Sequence, residues 1–184
     1  MEKRYEERAY VLDFLPHGRG RTRPGYRAGA LVQIVGGTFF TLLEAIVKEG
    51  TVLKPHDKIY VGKDKRTEIT YIIGRINYEE LTANAKMEML SVLEEIILSN
   101  ENRFINFFNT AQAITPRMHA MELVPGIGKK YMWQIINERE RTPFTNFKNL
   151  QERTNMPDPS KLIAKRVIEE LAGDSKYRLF TRAS

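Results

Sequence analysis

The sequence predicts an α+β fold, a five-stranded barrel followed by an all-helical domain. Three observations predict it. Up to about Tyr78 the apolar residues fall in short β-branched runs separated by turn signals. Beyond that point the apolar spacing becomes helical. The last third is punctuated by residue pairs that start helices.

The strands come first. Arg8 to Leu15 alternates loosely and stops at Pro16. Ala30 to Val35 is an apolar, β-branched run. Gly36-Gly37 suits a tight hairpin, since such turns need positive φ, and Phe39 to Val47 returns from it. Lys58 to Val61 is a short fourth strand between Pro55-His56-Asp57 and Gly62. Glu68 to Ile76, rich in Ile, Thr and Tyr, is the fifth. An oligonucleotide-binding (OB)-like β-barrel has this strand count. The expected barrel covers 1–78, with 176–181 as an alternating segment that returns to its edge.

Connecting helices are expected over 79–112. Thr82 caps one whose stripe is Ala85, Met89, Val92, Leu93, Ile96 and Ile97. Asn100 caps the next, with Phe104, Phe107 and Phe108 on one face. The final domain is 113–174. Thr115-Pro116 and Asp158-Pro159 each read as an N-cap followed by proline at the first helical position. Thr145 caps a helix through Leu150, and Gly173 ends the one that begins near Pro159.

Composition narrows the function. There is no cysteine, which excludes disulfides, thiolate metal sites and cysteine nucleophiles. No apolar run approaches the roughly 20 residues that span a bilayer. The charged start Met1 to Glu7 leads into no signal core, so a cytoplasmic protein without a membrane partner is expected. The net charge of +6 favours polyanionic partners. His17, His56 and His119 lie in unrelated segments, and the acidic pairs are adjacent residues whose side chains diverge. No metal, cofactor or catalytic residue is therefore expected, and the protein reads as a non-enzyme.

The most specific segment is Leu123-Val124-Pro125-Gly126-Ile127-Gly128-Lys129-Lys130. Two glycines one residue apart permit a sharp turn through positive φ. Ile127 plugs that turn into the core. The backbone N–H groups at the start of the following helix, Lys129 to about Arg139, then face outward and make an anion site. Lys129 and Lys130 add charge, and a nucleic-acid phosphate fits. This stretch resembles a helix-hairpin-helix motif, with Ile135 at its second apolar anchor. Met132 stands where the motif has a small residue. The segment from Arg141 to Leu150 resembles the link to a second hairpin, Asn155 to Pro159. That hairpin lacks Gly-x-Gly, so phosphate binding is carried onto the first alone.

Three further segments complete a wider likeness: Gly36 to Glu44, Asn100 to Phe104, and Arg117-Met118-His119. With the hairpin, they resemble a family of uncharacterised archaeal proteins, predicted to bind RNA, that joins an OB-like barrel to a helix-hairpin-helix module. The resemblance covers nearly the whole chain. It implies RNA before DNA as partner, and no established activity.

Two loops add candidate contacts. Arg19, Arg21, Arg23 and Arg27 lie between the first two strands with no acid among them. Lys63, Lys65 and Arg66 lie between the fourth and fifth. Both loops bind ligands in such barrels. Tyr26, Phe39, Phe40, Tyr60 and Tyr71 are candidates for base stacking, with ordinary core the better reading of Phe39 and Phe40, whereas Trp133 reads as a packing residue. The full expectation for these sites is Val124, Gly126, Ile127, Gly128, Lys129 and Lys130 together with the two basic loops. The alternatives are a DNA-binding or accessory part of a processing enzyme, and a protein-interaction scaffold whose hairpin docks an acidic partner.

Overall fold

The computed structural model describes residues 5–19, 29–173 and 175–182. The elements run β1 (Arg8–Leu15), β2 (Leu31–Gly36), β3 (Leu42–Val47), β4 (Lys58–Tyr60), β5 (Ile69–Arg75), α1 (Ala83–Ser99), α2 (Glu101–Thr110), β6 (Ala113–Thr115), β7 (Met118–His119), α3 (Lys129–Arg141), α4 (Phe147–Thr154) and α5 (Pro159–Ala172). Short 3-10 turns cover Tyr78–Glu80 and Ala120–Leu123. The fold is mixed α+β: a curled antiparallel sheet of five strands, and five helices. Two compact units divide the chain, one of residues 1–92 with 170–184, the other of residues 93–169.

In the first unit the strand order is β4-β1-β2-β3-β5. The sequence predicts a barrel; the sheet is a half-barrel whose edges, β4 and β5, do not pair with each other. At three residues, β4 is too short to match the seven of β5. One face of the sheet carries Ala9, Val11, Val32, Ile34, Leu43, Ala45 and Ile69 in a single apolar cluster. All six residues of β2 are buried, which is why the strand reads as apolar on both faces apart from Gln33. The loose alternation of β1 has a cause: a bulge between Val11 and Asp13 shifts the inward set by one residue.

The β2–β3 connection departs from expectation. Positive φ falls on Phe40 (57°), not on Gly36 or Gly37. Gly36 is needed for close approach instead, because a Cβ there would lie 2.0 Å from the Glu6 carboxyl carbon. Glu6 is buried and accepts N–H bonds from Thr38 (2.9 Å), Phe39 (2.7 Å) and Thr41 (3.3 Å), so one carboxylate satisfies the turn.

The start of α1 is fixed to the sheet. Thr82 Oγ1 accepts the Ala85 N–H, as a cap should, and donates to Asp13. Gln33, buried within β2, donates to the Glu80 carbonyl and to Glu44 and accepts the Thr82 N–H.

The segment 176–181 is not a strand. It is held by Glu170, fully buried, whose carboxylate accepts the N–H groups of Leu179 (2.9 Å), Phe180 (3.2 Å) and Thr181 (3.0 Å). Bonding three successive amides to one carboxylate leaves none of them for a sheet ladder.

The second unit is helical except for one short ribbon. Thr115-Pro116 does not start a helix; it is the turn of the β6–β7 hairpin, where the Arg117 N–H donates to Thr115 Oγ1. Proline presets φ for a turn as well as for a helix, so this signal serves either. Asn100 stands at the N-cap of α2, but its side chain donates back to the Ile96 carbonyl. The cap of α4 is Asn146, one residue beyond Thr145, and accepts the Asn149 N–H at 2.7 Å. Asp158 caps α5 through Ser160. Arg139 reaches the Phe108 and Ala111 carbonyls at the end of α2, and Asn109 exchanges two bonds with the Phe144 backbone.

Candidate functional site

The hairpin is built from below by a cap. His119 Nδ1 accepts the Met121 N–H (3.1 Å), and Glu122 accepts the His119 N–H (2.8 Å). This closes a capping box around the 3-10 turn Ala120–Leu123. The element before the glycine turn is thus a single 3-10 turn, not an α-helix. His119-x-x-Glu122 carries the spacing of a capping box with histidine in the serine place, a signal the sequence reading passed over.

Val124 and Ile127 are buried, and the Ile127 N–H closes onto the Val124 carbonyl at 3.0 Å. Gly126 has φ 89°, and a Cβ there would lie 3.0 Å from Leu162 Cδ2. Gly128 differs from the expectation of positive φ. It is extended (φ −92°, ψ −171°) as the N-cap of α3, and a Cβ there would meet nothing within 4 Å. It supplies no side-chain cap to the first N–H groups of α3. Met132 and Ile135 are buried beneath them.

The two lysines are not equivalent. Lys129 Nζ is bonded to Glu122 Oε1 at 2.8 Å. Lys130 is exposed and makes no ion pair among the described residues. Trp133 is 55% exposed, so it is not the packing residue the sequence reading makes it. Helical spacing places it next to Lys129 and Lys130, four and three residues earlier.

Protonation couples to this scaffold. Burial first, and then the Arg139 charge, hold His119 below its ordinary value near 6.5, which keeps Nδ1 free to accept. The unfolded chain therefore takes up a proton at a pH where the folded chain does not. Stability from this cap is complete above about pH 6.5 and declines as the pH falls below it. Glu122 is also held low, by the His119 N–H and by Lys129, but its loss belongs to the carboxylate range below 4.5. The expected result is a melting temperature that falls as the pH drops below about 6.5 in the wild type. His119→Asn retains an acceptor that does not titrate and should flatten that slope. An equal slope in both proteins would exclude His119 as its source.

The basic loops are placed unequally. Arg19 pairs with the buried Glu44, so its charge serves the fold. Arg21, Arg23 and Arg27, with Tyr26, lie outside the described residues. Lys63 and Arg66 line a cleft of about 750 Å³ in the first unit, and exposed Lys65 does not. Arg75 and Arg182 line the same cleft and were missed by the sequence reading. Of the candidate aromatics, Phe39 lines the cleft, Phe40 is buried and Tyr71 is 52% exposed on β5. Tyr60 holds the β4–β5 turn, its hydroxyl accepting the Asp64 N–H at 3.0 Å. Among the described residues no three acidic or histidine side chains are grouped to hold a metal, and no helix is long and apolar enough to cross a membrane.

The profile of a protein family of unknown function, DUF655, matches residues 5–182. The chain belongs to this family. An uncharacterised DUF655-like relative from Methanocaldococcus jannaschii is 41% identical over 182 residues, covering 98% of this chain and 82% of that protein. A crystal structure of a DUF655 protein from Archaeoglobus fulgidus is 43% identical, with a TM-score of 0.90. It covers 96% of this chain and 100% of that one, so the DUF655 fold described above is shared.

Proposed function

We propose that this DUF655 protein binds nucleic acid, RNA before DNA, without a chemical step. A helix-hairpin-helix-like turn grips the backbone phosphate. The observation that carries the reading is the start of α3. Gly128 leaves its N–H groups without a side-chain cap, and Lys130 stands beside them without an ion pair among the described residues. Exposed Trp133 on the same face offers a base a stacking surface. An OB-like role for the curled sheet fits the same reading. His56 Nε2 lies 3.1 Å from Ser91 Oγ and 3.4 Å from Glu88, and His119 Nδ1 accepts the Met121 N–H.

Anisotropy titrations of labelled single-stranded RNA and DNA at several salt concentrations test it. Lys130→Ala should weaken binding to every sequence and flatten the salt slope by about 0.7. Lys129→Ala should do less, because Glu122 already holds that ammonium. Gly128→Ala brings no strain or contact, so a loss of binding beyond the small loss of stability that alanine causes at an N-cap reports a phosphate close to the backbone. Quenching of Trp133, the sole tryptophan, should accompany saturation. Wild-type affinity and slope in both Lys130→Ala and Gly128→Ala would reject the hairpin as the phosphate site. Magnesium-dependent cleavage of either substrate would overturn the non-enzymatic reading.

A further inference from the structure

The open seam of the sheet forms a second site, independent of the hairpin. We infer that the cleft beside β5 takes a nucleoside phosphate, either a free nucleotide or one unit of a single strand. Its walls carry four cations, Lys63, Arg66, Arg75 and Arg182. The one carboxylate lining it, Glu6, is engaged by three backbone N–H groups. The cations are organised as well as numerous. Arg66 Nε donates to the Gly62 carbonyl at 2.8 Å, which fixes its guanidinium. Arg182 lies 3.8 Å above the centre of the Phe39 ring, and Lys63 Nζ 4.7 Å from that of Tyr5.

A simple anion needs no more than the charges. This cleft has in addition an apolar floor of Leu43, Val61 and Ile72, and two aromatic side chains. Tyr5 is 67% exposed, so it presents ring surface rather than filling a core. Flat apolar surface beside cations matches a base joined to a phosphate. The volume agrees, since about 750 Å³ lies within the range of sites that enclose small organic ligands and far exceeds one phosphate. The base stacks on Tyr5 and reaches the apolar floor, while the phosphate meets Arg66 and Arg75.

Calorimetric titration of the full chain tests this with nucleoside monophosphates, the matching nucleosides, inorganic phosphate and a pentanucleotide of RNA or DNA. A monophosphate or the pentanucleotide should bind at least about tenfold more tightly than nucleoside or phosphate alone. Tyr5→Leu should weaken that binding at least about fivefold, the loss of one stacked base. Arg75→Gln should weaken it and flatten its salt dependence. Both side chains are exposed, so unchanged melting temperatures separate binding from folding. Lys130→Ala should leave mononucleotide binding intact, which distinguishes failure of this site from failure of the hairpin. A pentanucleotide that binds more tightly than the monophosphate assigns the ligand to a strand, and equal affinity assigns it to a free nucleotide. Inorganic phosphate binding as tightly as the nucleotide, wild-type affinity in both variants, or no binding by any probe at millimolar concentration would overturn the inference.

Discussion

Gly126→Val should unfold the second unit more readily than any other single change in the hairpin. The residue sits at φ 89°, where a β-branched side chain is strained by about 1–3 kcal/mol. Its Cβ would also press on Leu162 at 3.0 Å, and forcing atoms into a packed core adds about 1–3 kcal/mol. The two together lower the melting temperature by roughly 5–15 °C for a chain of this size. Gly128→Val, only two residues away, should cost far less, because that backbone is extended and open. Thermal melts of the pair decide it. Equal losses would mean that the turn tolerates neither side chain, against the asymmetry of its geometry.

Glu170→Ala should be comparably severe in the first unit. It removes the acceptor of three amides and of the Thr181 hydroxyl at once. Phe180 and Thr181 are buried, so water does not readily replace it. Leaving buried donors unmatched costs about 1–3 kcal/mol each, and release of the segment caps the total at roughly 3–5 kcal/mol. Glu170→Gln keeps the volume and one acceptor oxygen and should lose less. Hydrogen exchange at Leu179, Phe180 and Thr181 reads this directly. Protection unchanged in Glu170→Ala would show that other contacts hold the segment.

The strands were legible because each has a local signature. The apolar run of β2, the short bracketed β4 and the Ile- and Thr-rich β5 all stand where the pattern puts them. So do the Thr82 cap and the Asp158-Pro159 start of α5. What failed depended on partners distant in sequence. The segment 176–181 alternates like a strand, yet a carboxylate nine to eleven residues earlier takes its amides. Thr115-Pro116 is equally a turn and a helix start until the β6–β7 pairing selects one. The hairpin was legible from Gly126-Ile127-Gly128, but only the backbone shows that the two glycines have different reasons. The seam cleft was only partly legible. Arg75 lies beyond register shifts at Glu44/Ala45 and Ile46/Val47, and these erase the parity that would place it. Arg182 follows directly on 176–181, whose strand-like alternation points to a sheet edge and not to this cleft.

The chain order around Glu170 also sets a timetable. The first unit is discontinuous: residues 93–169 form the second unit before Glu170 and the segment it holds are made. At roughly 5–20 residues per second, the ribosome leaves the half-barrel without that segment for several seconds. During that interval Phe39 lacks Arg182 above its ring, and Phe40 to Leu42 wait for neighbours. A nascent chain stalled before Glu170 should therefore be cut by protease at the turn from Phe39 to Leu42, which the finished chain protects.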